Sequence, residues 1–500
     1  MAKLTAFRDS SEPALLNAYH PSPSFCELMG SGSDERPRLL AFWHRLEQLH
    51  LKELSDRASE ALTELRDRGV TFTVYTDKDE IDRALPFDVI PRMILADEWD
   101  LIERGVSQRV AAINAFLWDI YHDQKIITEG IVPGDLICNN PNFREEMVGL
   151  DLPQRTYTHI AGVDLVRGPT GEFFVLEDNV RTPSGVSYVV ENRHLMQRAF
   201  PDLLQGINVR DVSSYGHMLR LKLLEVAPST TKEPQIVLLT PGVFNSAYYE
   251  HIFLAREMGV PLVEGRDLIV ENNRVYARTI AGLEPVDIIY RRIDDEFLDP
   301  KSFNPDSVLG VPGLMDCYRA GTVTIANAPG TGVADDKAVY AYMPRIIKYY
   351  LDEDPILTNV ETHVCREPDA LAYTLEHIED LVVKPVGESG GYGIVVGPKS
   401  TAKERDACRE ALKANPSNFI AQPMVQLSVC PTLTDDGIAP RHVDLRPFAV
   451  TGKETWVLPG GLTRVALKSG SIVVNSSQGG GTKDTWVMEE ASTSNGGEPA

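Results

Sequence analysis

The sequence predicts a mixed α+β and α/β protein of several domains, and three observations lead there. Helical periodicity with charge on the outer face runs through residues 36–68 and 96–124. Residues 235–290 alternate strand, helix and strand in the manner of a small open α/β layer. Beyond Asn327 strands predominate, in a pattern that suits an antiparallel sheet with flanking helices. At 500 residues the chain is too long for one small core, which sets a prior of about two to four domains.

In order, "VTFTVYTD" reads as a strand after the first helix, and Pro91 is expected to interrupt "FDVIPRMIL". Residues 1–150 are therefore predicted to be mostly helical. Residues 151–230 open with "YTHIAGVDLVRGPTGEFFVLEDN", two apolar strands around a Gly-Pro-Thr-Gly turn, and continue into a helix from about Val186. Residues 231–330 form the small α/β unit, with strands at "QIVLLTPG", "PLVEGRDLIV", "RVYAR" and "VDIIYRR" and a helix at "SAYYEHIFLAREMGV". Residues 331–488 read as helix (335–350), strand "LVVKPV", a glycine loop, strand "GIVVGP" and helix (401–414). The strands "NFIAQPMV", "HVDLRPFAV", "ETWVLPGGLTRVAL" and "GSIVVN" follow. The polar, Gly-containing residues 489–500 are expected to fray.

A net charge of -23 argues against nucleic acid or an anionic membrane as the main partner, while leaving room for a locally basic pocket. Six scattered cysteines without a C-x-x-C pair suit reduced thiols in a cytoplasmic protein and argue against a zinc site. No signal peptide and no apolar run of bilayer length stands out.

Three segments concentrate chemistry. With a turn centred between Thr170 and Gly171, Asp164 lies opposite Glu177, and Asn179 shares the Glu177 face. Opposed like charges destabilise a sheet, and a divalent cation reverses that sign; two carboxylates and an amide oxygen suit Mg²⁺. A solvated strand end whose acids tolerate each other fits the same spacing. In "LVVKPVGESGGYGIVVGP", Lys384 ends an apolar strand before a loop of glycines that can bring backbone N–H groups onto phosphate oxygens. A glycine-rich hairpin with a snorkelling lysine is the alternative. The strand after the loop, and the absence of G-x-x-x-x-G-K, exclude a P-loop or dinucleotide fingerprint in its usual setting. Arg441, Asp444, Arg446, Arg464, Asn475, Gln478, Gly479–Gly481 and Lys483 form a third, anion-suited group, although any one arginine alone suits a surface ion pair. Arg291, Arg292, Asp294, Asp295, Gln108 and Arg109 are open in the same way, and His159 and His442 show no catalytic partner.

Together "GVD", "LEDN" and "VVKP" with "GESGGYG" resemble the ATP-grasp enzymes, in which ATP lies between two sheets beneath a glycine loop. Here the metal motif precedes the lysine by some two hundred residues, which resembles the circularly permuted ATP-grasp group. Its bacterial members carry runs such as "LTPGVFNSAYYEHIFLAREMG", "YRRIDDEFLDP", "NAPGTGVADDKAVYAYMP" and "NSSQGGGTKDTWV", and the glutathionylspermidine synthetase domain is related in kind. The resemblance spans about residues 20–488.

It implies ATP and Mg²⁺ as cofactors, with Asp164, Glu177 and Asn179 as metal ligands. Lys337 and Lys384 become phosphate lysines, with Glu388, Ser389, Gly390, Gly391, Tyr392 and Gly393 as the covering loop and Gln422, Pro423, Met424 and Val425 as the adenine hinge. Arg446, Arg464 and Arg181 become catalytic cations. Arg181, Thr182, Ser184, Arg291, Asn475 and Lys483 become substrate residues. Asp178 is expected to point away from the metal face. The implied reaction joins a small-molecule or peptide carboxylate to an amine or thiol through an acyl phosphate, releasing ADP and phosphate. An inactive ATP-binding scaffold and a small-molecule kinase are the alternatives, and a homo-oligomer is left open.

Overall fold

The computed structural model describes residues 19–20, 24–30, 42, 44–75, 80–84, 86–229, 232–387, 393–471, 474 and 479–489. Its centre is an eight-stranded sheet. Seven strands follow one another in the order Thr358–Asn359, Phe173–Asn179, Ile160–Arg167, Gly437–Thr451, Thr455–Val465, Gly481–Val487 and Phe87–Ile94, and Val429–Thr434 pairs onto Gly437–Thr451 off that path. The inner pairings are antiparallel, and the two outermost are parallel.

Side-chain alternation splits this sheet into two apolar faces. Val163, Leu165, Val175, Leu445 and Val457 pack with the helix Ala96–Ile120. Phe448, Val450, Leu458, Leu462 and Trp486 pack with the helices Val186–Ala199 and Leu51–Asp67. Ala96–Ile120 buries Trp99, Ile102, Val106, Val110, Ile113, Leu117 and Ile120, the three-and-four spacing of a core-facing helix. Glu98 Oε2 accepts from Leu95 N at 2.9 Å and closes its first turn.

The strand Phe87–Ile94 runs through Pro91, so the expected interruption does not occur. It lies at the sheet edge and pairs on one side with Gly481–Val487, across a register shift between Lys483 and Thr485. A missing N–H costs little at such a position. Three short helical segments, Gly332–Asp335, Lys337–Ala341 and Met343–Leu351, replace the single expected helix at 335–350. Pro344 stands in the first turn of the last, where its lack of an N–H is tolerated. The expected strand at "GSIVVN" falls partly outside the described residues.

The small α/β unit has four parallel strands in the order Thr324–Ala326, Ile288–Arg291, Ile236–Leu239 and Leu262–Val263, with helices Tyr248–Met258 and Leu314–Arg319. An antiparallel trio, Leu268–Glu271, Arg274–Thr279 and Gly282–Val286, is appended to it. A second antiparallel sheet, in the order His363–Val364, Phe419–Pro423, Leu381–Pro385 and Val395–Val396, carries the Lys384 strand. Helices Pro368–Glu376 and Ala402–Ala414 flank it.

Asn327, at the exit of the small sheet, is buried. Its Oδ1 accepts from His159 N and Ile160 N, both at 2.7 Å, and its Nδ2 donates to Ile160 O (2.6 Å), Val180 O (2.8 Å) and Arg181 O (3.1 Å). One side chain thus holds the entry and the exit of the central hairpin against the small unit. Among the described residues no helix is long and apolar enough to cross a membrane.

Asp178 turns towards Ala96–Ile120, where its oxygens accept from Arg109 Nε at 2.6 Å and Nη2 at 2.8 Å; both residues are buried. Removing one member of such a pair leaves a buried charge uncompensated. Asp178→Ala is expected to lower the unfolding free energy by about 3–5 kcal/mol, read from urea unfolding. A loss below about 1 kcal/mol, the size of an exposed pair, would contradict the burial argument.

Candidate active site

The two acids of the hairpin meet as their spacing suggests, but through an irregularity. From Arg167↔Phe173 to Leu165↔Val175 the hairpin is centred on Thr170, and a bulge between Asp164 and Leu165 then shifts the register so that Asp164 pairs with Glu177 and Gly162 with Asn179. Val175 therefore faces the apolar core while Glu177, two residues on, lies with Asp164 on the other face.

Asp164 is fully enclosed by arginines. Arg446 donates to its Oδ1 from Nε at 2.5 Å and to Oδ2 from Nη2 at 2.8 Å, and Arg464 Nη2 reaches Oδ2 at 2.7 Å. Arg464 also bonds Asp444, its cross-strand partner, through Nε at 2.9 Å. Burial opposes ionisation of Asp164, but the two guanidinium charges prevail and hold its carboxyl well below the usual range. Burial raises Asp444, with Arg464 opposing.

Glu177 is half-buried, and desolvation followed by the Asp164 charge pushes its carboxyl up. Lys337 and Lys384 oppose that rise. Lys337 Nζ stands 3.8 Å from Glu177 Oε2. It opens the helix Lys337–Ala341, whose N-cap Asp336 accepts from Ala338 N and Val339 N. Lys384 comes from the second sheet and donates to Gln422 Oε1 at 2.7 Å; Gln422 Nε2 in turn donates to Thr362 Oγ1 at 2.9 Å. Lys384 is buried, and desolvation lowers it to about 8 against the pull of Glu177. Two sheets thus contribute opposite charges to one place.

The structure gathers Asp164, Glu177, Asn179, Lys337, Lys384, Arg446 and Arg464. Gln422 adjoins them through Lys384, with Pro423, Met424 and Val425 continuing the same strand end. Arg181 follows the strand Phe173–Asn179, bonded by Nε to Asp335 Oδ2 at 2.5 Å; Thr182 and Ser184 lie in the same turn. Gly393 has φ +69°, a conformation that favours glycine. Glu388, Ser389, Gly390, Gly391, Tyr392, Asn475 and Gln478 lie outside the described residues.

Two expected substrate residues are engaged elsewhere. Arg291 is buried, donating to Asn327 O (2.7 Å), Ile293 O (2.6 Å) and Ala328 O (3.2 Å) and pairing with Asp295 (2.6 Å). Lys483 pairs in register with Thr463, next to the Arg464–Thr482 pair, and so projects to the opposite face from Arg464. There it bonds Asp88, Ile90 O (3.0 Å) and Pro431 O (2.8 Å). His159 is buried and lowered to about 4 by desolvation, and His442 Nδ1 meets Leu427 O at 3.0 Å.

Sequence reading passed over Asp335, Asp336 and Thr362. Asp336 had a signal, an acid immediately before the lysine of a new helix. Asp335, which also accepts from Val180 N at 2.5 Å, and Thr362 had none, because their partners are far away in sequence.

Glu177 and Asn179 fit a hard cation. The Glu177 carboxyl is raised next to another acid, and Asn179 Nδ2 is buried without a hydrogen-bond partner, so an amide turned about its axis could present oxygen instead. Asp164 has both oxygens on arginines and would join only by releasing one. Among the described residues no three His, Cys, Asp or Glu side chains gather as a metal cage.

Between about pH 8 and its ordinary value of 10.5, Lys384 is deprotonated in the folded protein and protonated in the unfolded chain. The unfolded chain then holds more protons, so stability from this group rises with pH across that window. Lys384→Met should flatten the rise, measured as the urea midpoint at successive pH values. Identical slopes in both proteins would refute the lowered proton affinity of this lysine.

Residues 91–466 match the family described as circularly permuted ATP-grasp type 2. An uncharacterized protein of Synechocystis sp. is 49% identical over 475 residues, covering 95% of this chain and 99% of that protein. A Mycobacterium tuberculosis protein, also uncharacterized, is 52% identical over 437 residues, 87% of this chain and 79% of its own length. A Frankia alni protein, "Putative glutamate--cysteine ligase 2-3", is 42% identical over 482 residues, 96% of this chain but 55% of the relative, so the chain spans about half of it. In fold, a glutathione synthetase-like effector from Globodera pallida superposes with a TM-score of 0.57 at 11% identity, over 88% of this chain and 98% of that one. With most of its length matched, and the Asp164–Glu177 hairpin preceding the Lys384 strand, the chain belongs to the circularly permuted ATP-grasp type 2 family.

Proposed function

We propose that this protein is an ATP- and Mg²⁺-dependent ligase that joins a carboxylate to an amine or thiol through an acyl phosphate and releases ADP and phosphate. The observation that carries the reading is the set of opposed charges around Glu177: Asp164 across the hairpin, Lys337 at 3.8 Å, and Lys384 from the second sheet. Lys337 and Lys384 are suited to hold phosphate oxygens as point charges. Arg446 and Arg464 stand behind Asp164 and would stabilise charge on the transferring group, which is mainly electrostatic work. Mg²⁺, when bound by Glu177 and Asn179, supplies further neutralisation of the phosphates.

The Frankia relatives' printed names support ligase chemistry in general terms, for proteins about twice the length matched here. A scaffold without activity has little use for opposed acids, which cost stability when unneutralised. The substrates are read as small-molecule or peptide carboxylates and amines, and the compartment as the cytoplasm, in keeping with six free cysteines.

The test is incubation with ATP, Mg²⁺, hydroxylamine and pooled amino acids, small peptides and other carboxylates. ADP, phosphate and a hydroxamate are expected, and Glu177→Ala should lower the rate by about 100-fold or more. AMP with pyrophosphate would indicate adenylate chemistry and overturn the reading. A stable phosphorylated product without hydroxamate would favour the kinase, and tight ATP binding without turnover would favour the scaffold.

A further inference from the structure

The two central strands of the small sheet, Ile236–Leu239 and Ile288–Arg291, hand the chain to opposite edges. The first leads through Tyr248–Met258 to Leu262–Val263, and the second through Leu314–Arg319 to Thr324–Ala326. Where neighbouring parallel strands diverge in this way, their carboxyl ends leave a crevice that open α/β sheets use for ligands. The turn after the metal strand lies against that end. Arg292 donates to Pro183 O at 2.8 Å and to Ser184 Oγ at 2.5 Å, and Glu250 Oε2 accepts from Gly185 N at 2.7 Å. The crevice therefore adjoins the candidate active site.

Two guanidinium groups and one carboxylate line this junction. Arg181 is anchored by Nε to the partly buried Asp335 (2.5 Å), and Arg144 by Nε to buried Asp295 (3.3 Å). Their side chains are 32% and 21% exposed, and among the described residues neither has a hydrogen bond on Nη1 or Nη2. Gly332 lets the two segments close together: a Cβ there would lie 2.8 Å from Asn142 Cβ and 2.9 Å from Arg181 Cδ. Asp294, beside Asp295, is exposed, and its carboxylate accepts no hydrogen bond among the described residues. The charge of Asp335, and beyond it those of Asp294 and Asp295, strengthens the hold of Arg181 on its proton.

We infer that this junction binds the amine co-substrate, and that the co-substrate is an α-amino acid. Its carboxylate is taken by the free forks of Arg181 and Arg144, and its amine lies beside Asp294. A guanidinium fixed at Nε presents its two Nη groups in the planar geometry that a carboxylate matches. A polyamine has no group for the two arginines and is repelled by them. The inference rests on the ligase reading and narrows its substrate class.

The test is thermal unfolding of the full chain with Mg²⁺ and a non-hydrolysable ATP analogue, adding each common L-amino acid, its carboxamide, or spermidine. At least one free amino acid should raise the midpoint, and its carboxamide and spermidine should not. In Arg144→Gln and Asp294→Asn the apparent affinity for that amino acid should fall by about tenfold or more, the loss of one charge-assisted contact. Each shift is read against the variant's own midpoint, so that lost fold stability is subtracted. A spermidine shift, an equal carboxamide shift, no shift with any amino acid, or unchanged affinity in both variants overturns the inference. The nucleotide alone reports separately on the ligase reading. No shift with the analogue removes that reading, whereas nucleotide binding without amino-acid preference removes only this inference.

Discussion

The pairing of Asp164 with two arginines is the constraint on which the site depends. Arg446, Asp164, Arg464 and Asp444 alternate in sign across three adjacent strands, all nearly or wholly withdrawn from water. Buried charges persist only when each has a partner, and here every partner is shared. The ladder fixes the rotation of the strands about one another and leaves the Glu177 charge to be met from outside the sheet. Lys337 and Lys384 meet it from two different segments, so the electrostatics of the site also hold the two sheets in relation.

Much of this arrangement was legible in the sequence, though the reasons differ from those the spacing offered. The strand–helix–strand alternation of residues 235–290 reads directly, because buried parallel strands and their helices have distinct periods, whereas the helix Leu314–Arg319 and the short strand Thr324–Ala326 were not read. The opposition of Asp164 and Glu177 was reached by assuming a regular hairpin. The real hairpin turns about Thr170 and recovers the same pairing through a bulge, which no pattern of apolar residues reveals. Pro91 misled because an edge strand tolerates what a central strand does not. Lys483 and Arg291 misled for a different reason: a cation in a motif-like run looks the same whether it faces a pocket or closes a buried carbonyl cluster. Asp335 could not be read at all, since its partners Val180 and Arg181 stand some 155 positions away.

The environment of Lys384 shows a second kind of hidden information. Its position at the end of an apolar strand is visible, but its lowered affinity for a proton comes from burial and then from the Lys337 charge, against the pull of Glu177 and Asp164. Gln422 accepts its hydrogen bond and is itself oriented by Thr362, so the amide's direction is set one step further out. Such chains of orientation cannot be inferred from any single run of residues.

Asn327 illustrates how narrow the choice of residue can become when one side chain must both give and receive. Its oxygen takes two backbone hydrogens, and its nitrogen serves three carbonyls. Aspartate, the nearest isostere, would set a second acceptor against those carbonyls. Leucine would fill the volume and satisfy none of the five groups, and glutamine would carry the same amide one methylene too far. The most conservative replacements at this position are therefore among the least compatible with it, and similarity of shape is a poor guide to tolerance wherever one amide serves five backbone groups at once.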